Sequence, residues 1–289
     1  MVKKALNFII ISMFFIVFLY PFLYIVNIAI SSSHAITNNE VYLIPKGINF
    51  IAFKVVLQSK SILSGYINSI AYTTIGTVLT LILCTSAAYV LSVREFKFKK
   101  SVMAFFTITM FLNGGIIPSF LLMKYLGLID SMWAVIIPGA LSAWNIIIFK
   151  TNFKSIPQDI IDSAKIDGAN HYWIYGKIVI QLSKAIIATI GLFTIVAYWN
   201  SFFPALLYLT SQGKQPLMIV LRKLIVVENM RGEFMNLIGK AVTVDMDEIG
   251  FARSVKMAII IVSIFPILLV YPFLQKYFTK GALVGSIKE

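Results

Sequence analysis

SILSGYINSIAYTTIGTVLTLILCTSAAYVLSV, residues 61–93, runs for 33 positions without a charged side chain. About 20 helical residues cross the hydrocarbon core of a bilayer, so this stretch is long enough to span it. No water inside lipid satisfies backbone N–H and C=O groups. A run of this kind must satisfy them internally, as a helix and not as an open strand.

Five further gaps between charges flank it: Ala5–Ser33, Ser101–Met123, Ser131–Phe149, Ala185–Gly213 and Met257–Gln275, of 29, 23, 19, 29 and 19 residues. The next longest uncharged run, Gly168–Gly176, has nine, which sets the six apart as a class. Apolar residues make up 59% of the 289 positions and charged residues only 13%, against roughly one-quarter charged in soluble domains. The sequence therefore predicts an all-α integral membrane protein. Six transmembrane helices are expected, near 8–30, 66–93, 102–123, 131–149, 185–210 and 257–275, forming one domain over 1–289. No polar segment between them is long enough for an appended catalytic domain.

Orientation follows from Lys and Arg in the short loops. With six spans, Lys3 and Lys4, the turn Arg94-Glu95-Phe96-Lys97-Phe98-Lys99-Lys100, and Lys276, Lys280 and Lys288 share one side. That side is expected to be cytoplasmic, with both termini, in a multi-pass protein of the bacterial cell membrane. The segment 150–184 then faces the cytoplasm as well. Segments 31–60, 124–130 and 214–256 face outward. The first span has bulky Phe, Tyr and Ile throughout and no small-x-small site before Ser31, so it reads as a retained anchor and not as a cleaved signal.

Several functions are disfavoured. The formal net charge is +13, yet the basic residues are scattered over loops and helix ends with no aromatic-interleaved patch for nucleic acid. Phosphate-loop chemistry needs G-x-x-x-x-G-K-[ST], whereas Gly176-Lys177, Gly213-Lys214 and Gly239-Lys240 are followed by Ile, Gln and Ala. Two His stand 137 positions apart, the one cysteine, Cys84, lies mid-span, and there is no G-x-S-x-G. No metal site, bound cofactor or enzyme activity is expected on this chain. Pro21, Pro118, Pro138, Pro204, Pro266 and Pro272 fall in or at the ends of spans, where neighbours must resatisfy freed backbone groups.

Between the fourth and fifth gaps stands Ser155-Ile156-Pro157-Gln158-Asp159-Ile160-Ile161-Asp162-Ser163-Ala164-Lys165-Ile166-Asp167-Gly168-Ala169. Proline suits a first helical turn, Asp159 complements the N-terminal dipole and Gly168 suits a left-handed cap. A short surface helix is predicted. Ile160, Ala164 and the off-stripe Ile161 lie on one face, with Asp159, Asp162 and Lys165 on another. Physical chemistry alone leaves two roles for it: a knob docking on another protein, or an interfacial helix lying on lipid headgroups.

The run P-x-x-x-x-D-S-A-x-x-D-G-A resembles the E-A-A-x-x-D-G-A loop of ABC importer permeases, the cytoplasmic coupling helix that seats in a groove of the ATPase subunit. Lys150-Thr151-Asn152-Phe153-Lys154 upstream and Tyr175-Gly176-Lys177-Ile178-Val179-Ile180 downstream resemble that family's flanks. So do Asn68-Ser69, Ala87-Ala88-Tyr89-Val90-Leu91-Ser92 and Trp199-Asn200-Ser201-Phe202, which are similar to the MalG-like carbohydrate branch. Asn113-Gly114-Gly115-Ile116-Ile117-Pro118 with Tyr125-Leu126-Gly127-Leu128 and Trp133-Ala134 is similar to the Gram-positive oligosaccharide permeases of the LplC and YtcP group. Three positions depart from the pattern: Asp162 and Ser163 replace the usual Glu and Ala, and Gln181 a usual Pro.

The resemblance implies the type I ABC importer permease fold and ATP-driven, alternating-access import of an oligosaccharide or related sugar. It assigns coupling to Pro157, Asp162, Ser163, Ala164, Asp167, Gly168 and Ala169. The implied partners are a second homologous permease, two ATPase subunits that hold ATP and Mg, and an extracellular solute-binding lipoprotein that meets the 214–256 loop. That loop also reads as an ordinary mixed-charge solvated segment. Sugar recognition combines hydroxyl hydrogen bonds with aromatic stacking, which makes Asn113, Asn145, Tyr198, Trp199 and Asn200 candidates for the substrate path. The same side chains serve equally well in interhelical packing. Two alternatives stay open: an ABC permease for a non-sugar solute, and a stand-alone secondary transporter or channel. The second expects charges inside the spans, and the six gaps contain none.

Overall fold

The computed structural model describes residues 2–112, 114–226 and 248–286. The described elements are helical: α1 (Val2–Ala29), α2 (Ser33–Thr37), α3 (Ile51–Gln58), α4 (Lys60–Ser92), α5 (Lys99–Phe111), α6 (Ile116–Tyr125), α7 (Met132–Ala140), α8 (Ala143–Lys154) and α9 (Gln158–Ile166). There follow α10 (His171–Leu182, π-helical over Ile174–Val179), α11 (Lys184–Trp199), α12 (Phe203–Tyr208), α13 (Leu217–Val226) and α14 (Glu248–Ser286).

Three stretches are long and apolar enough to cross a membrane unbroken: Leu6–Ala29, Lys60–Ser92 and Ile249–Val270. Three more crossings exist only where a bent pair serves as one span: α5 with α6, α7 with α8 (44°), and α10 with α11 (80°). The described residues thus hold three such helices, or up to six. Charge gaps measure hydropathy and not helix continuity, which is why the expected spans near 102–123, 131–149 and 185–210 read as straight. Glycine interrupts the first of them, with Gly115 at φ +85°. The second restarts at Ser142, whose hydroxyl accepts the Asn145 N–H at 3.4 Å and caps α8. In the third, α11 ends at Trp199 and α12 begins afresh with Pro204 in its first turn.

The chain divides into two compact units. One comprises residues 1–64 and 219–268, the other 65–218 and 269–289. In the first, α1 exposes an apolar surface from Leu6 through Leu23, a surface suited to lipid. Its end enters a small core of Ile28, Ala35, Ile36 and Val41, against which Tyr24 and Met257 pack. Gly250 in α14 lies so close to the Ser33 backbone that no Cβ fits. Three residues on, the Arg253 guanidinium donates to Asn39 Oδ1 (3.2 Å) and the Tyr24 hydroxyl (3.3 Å). Glu248, Arg253 and Lys256, expected in an outward loop ending at 256, are therefore the opening turns of a helix.

The second unit is built on α4, α8, α10 and α11. Cys84, Ala88, Tyr89 and Leu91 of α4 bury against Ile146, Phe149 and Phe153 of α8, Ile174 and Val179 of α10 and Ile190 of α11. Around the Pro138-containing α7, backbone oxygens find side-chain donors. The Tyr198 hydroxyl donates to the Ile136 carbonyl (3.0 Å), and the Cys84 thiol points at the Ala140 carbonyl (3.6 Å). Non-helical backbone at membrane depth is tolerated where protein groups take over in this way.

Candidate functional site

Helix α9 is set onto this core. Pro157 has φ −54° and ψ 130°, so it stands just outside the helix as its N-cap, one position earlier than expected. Asp159 occupies the first turn, where a carboxylate complements the exposed N–H groups. At the other end the Ala169 N–H donates to the Ala164 carbonyl (2.9 Å) and the Gly168 N–H to the Lys165 carbonyl (3.0 Å). These are the two bonds of a Schellman cap, which requires a left-handed residue between them. Gly168 supplies it at φ +82°. A Cβ there would meet nothing within 4 Å, so backbone conformation and not space calls for glycine.

Ala164 is 8% exposed and belongs to the same core cluster as Tyr89, Phe149 and Phe153, with Ile161 and Ala169 packed alongside. Ile160, expected on that stripe, is 43% exposed, and Ile166 is 86% exposed. The helix lands on its core through Ile161 and Ala164, three residues apart, which turns Ile160 outward with Asp159, Asp162 and Ser163. Asp162 accepts from the Gln158 amide at 3.0 Å. Asp167 forms the C-cap and is exposed. The outer face thus presents small, acidic and apolar side chains together.

Lys165, placed by the sequence on the charged outer face, reaches inward to Glu95 at 2.8 Å. This hydrogen bond, first among the causes, holds the Glu95 carboxyl below its ordinary range. Asn170 caps α10 by accepting the Trp173 N–H (2.9 Å). Its neighbour His171 bonds through Nδ1 to the Tyr89 hydroxyl (3.0 Å), and Tyr175 reaches Thr85 (2.7 Å). A cavity of about 490 Å³ lies behind α9, lined by Tyr89, Arg94, Phe153, Lys154 and His171 among others. The inner face of the capped helix packs through Ile161 and Ala164 on core residues of α4, α8 and α10.

A second ordered feature involves the segment after α12. Asp130, at φ +59°, accepts from the Thr210 N–H (3.0 Å), the Ser211 N–H (2.8 Å) and hydroxyl (2.6 Å), and the Lys214 ammonium (2.9 Å). The Ser211 hydroxyl is foremost in holding its carboxyl far below the usual carboxylate range. From α4, Asn68 donates to the carbonyls of Gly213 (2.7 Å) and Gln215 (3.2 Å), and Tyr72 to that of Lys214 (2.7 Å). Ser69 accepts the Leu217 N–H at 2.8 Å. Residues 210–217 are therefore clamped from two sides. Asp130, Tyr72 and Lys214 were not singled out in the sequence, where the only signal was an isolated acid ending a short loop.

Four of the path candidates lie among the described residues. Tyr198 is half-buried, bonded to Ile136 and to Thr80 (3.2 Å), with its ring against Gly76. Trp199 is buried and meets Tyr66 edge-on at 5.7 Å. Asn200 is exposed at the C-cap of α11, and Asn145 is half-buried in the first turn of α8. Asn113 lies outside the described residues.

Residues 91–283 match the family described as the binding-protein-dependent transport system inner membrane component. The chain belongs to that family. Over 282 residues, 96% of the chain and 94% of the relative, this inner membrane component is 38% identical to the polygalacturonan/rhamnogalacturonan transport system permease protein YtcP of Bacillus subtilis (strain 168). It is 36% identical to Protein LplC of the same organism, over 93% of the chain and 88% of the relative. Among solved structures, one chain of a bacterial ABC transporter involved in import of the acidic polysaccharide alginate superposes with a TM-score of 0.88 at 36% identity, covering 96% of both chains. The resemblance to carbohydrate ABC permeases of the LplC and YtcP group is borne out, as is membership of a transport and not an enzyme family.

Proposed function

We propose that this chain is a permease subunit of an ATP-driven importer that carries an oligosaccharide across the cytoplasmic membrane. The observation that carries the coupling part is the Schellman-capped α9, anchored through Ala164 and offering Asp159, Ile160, Asp162, Ser163 and Ile166 outward. A helix held on its inner sides transmits displacement to α4, α8 and α10 when a partner moves against its outer face. Partner ATPases hold ATP and Mg and supply the chemistry. This chain, paired with a second permease, converts their closure into reorientation of its spans. The N- and C-termini and α9 face the cytoplasm. The clamped 210–217 segment faces outward, toward the solute-binding lipoprotein; residues 227–247 of the expected outward loop lie outside the described residues.

The substrate class rests on the relatives. YtcP is named for polygalacturonan and rhamnogalacturonan and the superposed transporter for the acidic polysaccharide alginate, which makes acidic, galacturonate-containing oligosaccharides the first to test. Asn145, Tyr198, Trp199, Asn200 and Asn113 remain candidates for shaping the path, with Asn200 the most exposed of the described four.

Purification of the complex tests the proposal. A second permease, two ATPase copies and a binding protein whose loading with uronate oligomers stimulates ATP hydrolysis are expected with this chain. A lone homo-oligomer without ATPase would contradict it.

A further inference from the structure

A second groove opens beside α8, away from the coupling surface. Met103 and Thr107 of α5 face Ile147, Lys150, Thr151 and Lys154 of α8 across about 360 Å³. The spacing on each helix is that of a single stripe, i and i+4 on α5 and i, i+3, i+4, i+7 on α8. Lys99, one turn before Met103, continues the α5 stripe. The groove is graded along its length. At the end toward α9 stand Lys150 and Lys154, and about 10 Å along α8, at 1.5 Å per residue, it is walled by Met103, Thr107 and Ile147; Lys99 lines the neighbouring cavity behind α9.

Lys150 lies within reach of the charges of Lys154 and Lys99, while the Lys99 ammonium donates to the Arg94 carbonyl at 3.0 Å. Among the described residues, no carboxylate lies within salt-bridge distance of any of them; the ion pairs formed are Lys46–Glu40, Lys165–Glu95 and Lys214–Asp130. The hydroxyls of Thr107 and Thr151 are turned onto their own helices, donating to the carbonyls of Met103 (2.8 Å) and Ile147 (2.9 Å), which leaves methyl groups for the groove wall. Two cations without a carboxylate partner, Lys150 and Lys154, at one end of an apolar trough match a molecule with an anionic phosphate head and a hydrocarbon tail.

We infer that the groove between α5 and α8 binds one anionic phospholipid, its phosphate on Lys150 and Lys154, and an acyl chain along Met103, Thr107 and Ile147. Lys154 also lines the cavity behind α9 and stands three residues before Pro157, so the lipid adjoins the coupling helix. Occupancy of this groove does not depend on the transported solute or on the coupling role, so its test stands apart from the test of transport.

Native mass spectrometry of the purified intact complex, with phosphatidylglycerol and phosphatidylcholine of identical acyl chains, reads the site directly. The complex retains phosphatidylglycerol at least about threefold over phosphatidylcholine. Lys150→Gln with Lys154→Gln abolishes the preference, and Lys150→Arg with Lys154→Arg keeps it. Thr151→Trp, which fills the apolar half without altering charge, lowers retention as well. Lys97→Gln with Lys100→Gln, outside the groove lining, does not. Equal retention of the two lipids by the unmodified complex, or undiminished preference in the double glutamine variant, overturns the inference. Soluble glycerophosphoglycerol competing as well as the lipid, with Thr151→Trp without effect, marks a free-phosphate site and overturns the lipid assignment.

Discussion

The ammonium of Lys165 and the carboxylate of Glu95 lie 2.8 Å apart, joining the last turn of α9 to the loop that leaves α4. Seventy residues separate them in sequence. The pair links α9 to the end of α4, the longest unbroken apolar helix among residues 65–218, alongside the apolar anchor at Ala164. The anchor supplies most of the attachment, because a partly exposed ion pair contributes roughly 1 kcal/mol or less.

Replacing Lys165 by Met is therefore expected to leave the complex folded and reduce transport only partially, with the exchanged pair Glu95→Lys/Lys165→Glu restoring it. The pH dependence has a fixed sign. Glu95 is depressed in the folded state, so its contribution is present above the ordinary glutamate range and is lost as pH falls through the lower folded value. Transport assays from neutral to acidic pH check this: the difference between unmodified protein and Lys165→Met narrows toward acid.

Ala164 is buried in the same core cluster as Tyr89, Phe149 and Phe153. Ala164→Leu is expected to destabilise the subunit by about 1–3 kcal/mol through overpacking, seen as a lowered thermal midpoint in detergent. Ile166→Asp, at a position 86% exposed, is expected to leave that midpoint unchanged while reducing ATPase recovery with the complex. Equal midpoints for both variants would contradict the assignment of inner and outer faces.

Gly76 admits the Tyr198 ring, and a Cβ built there would stand 2.8 Å from its carbons. Gly76→Ala is expected to cost about 1–3 kcal/mol by forcing the ring away, and Tyr198→Leu in the same chain to recover part of the loss. Thermal unfolding of the four-member cycle measures the coupling.

These side chains show where reading the sequence succeeds and where it stops. The bilayer, the position of α9 and the cap at Gly168 were legible, because each rests on local chemistry: missing charge, a helix-starting proline and a residue free to adopt positive φ. The bends were not, since Gly115, Ser142 and Pro204 interrupt runs that are apolar throughout. Nor was the partnership of Lys165 with Glu95 or of Asp130 with residues 210–214, which depends on segments distant in sequence meeting in space. Ile160 was misplaced for the same reason. Either neighbouring isoleucine could have completed the inner stripe, and the position of the core beneath decides for Ile161.

Asp130 organises the clamp on 210–217 through four accepted hydrogen bonds. Asp130→Asn removes the charge that Lys214 and Ser211 oppose, so amide exchange of Thr210 and Ser211 is expected to accelerate while α9 stays protected. Because the carboxyl is depressed, the same loosening arises in the unmodified protein only under strongly acidic conditions, once pH falls through the folded value. Hydrogen exchange followed by mass spectrometry distinguishes the two regions.

The central claim is that the capped α9 couples a partner's ATP hydrolysis to movement of this chain. Gly168→Val places a β-branched residue at φ +82°, where the backbone penalty is about 1–2 kcal/mol or more, although a Cβ there meets no neighbour within 4 Å. The decisive measurement is the ratio of oligosaccharide taken up to ATP hydrolysed by the reconstituted complex carrying Gly168→Val. The account predicts normal membrane insertion with a ratio lowered at least about tenfold; an unchanged ratio in a fully assembled complex would contradict it.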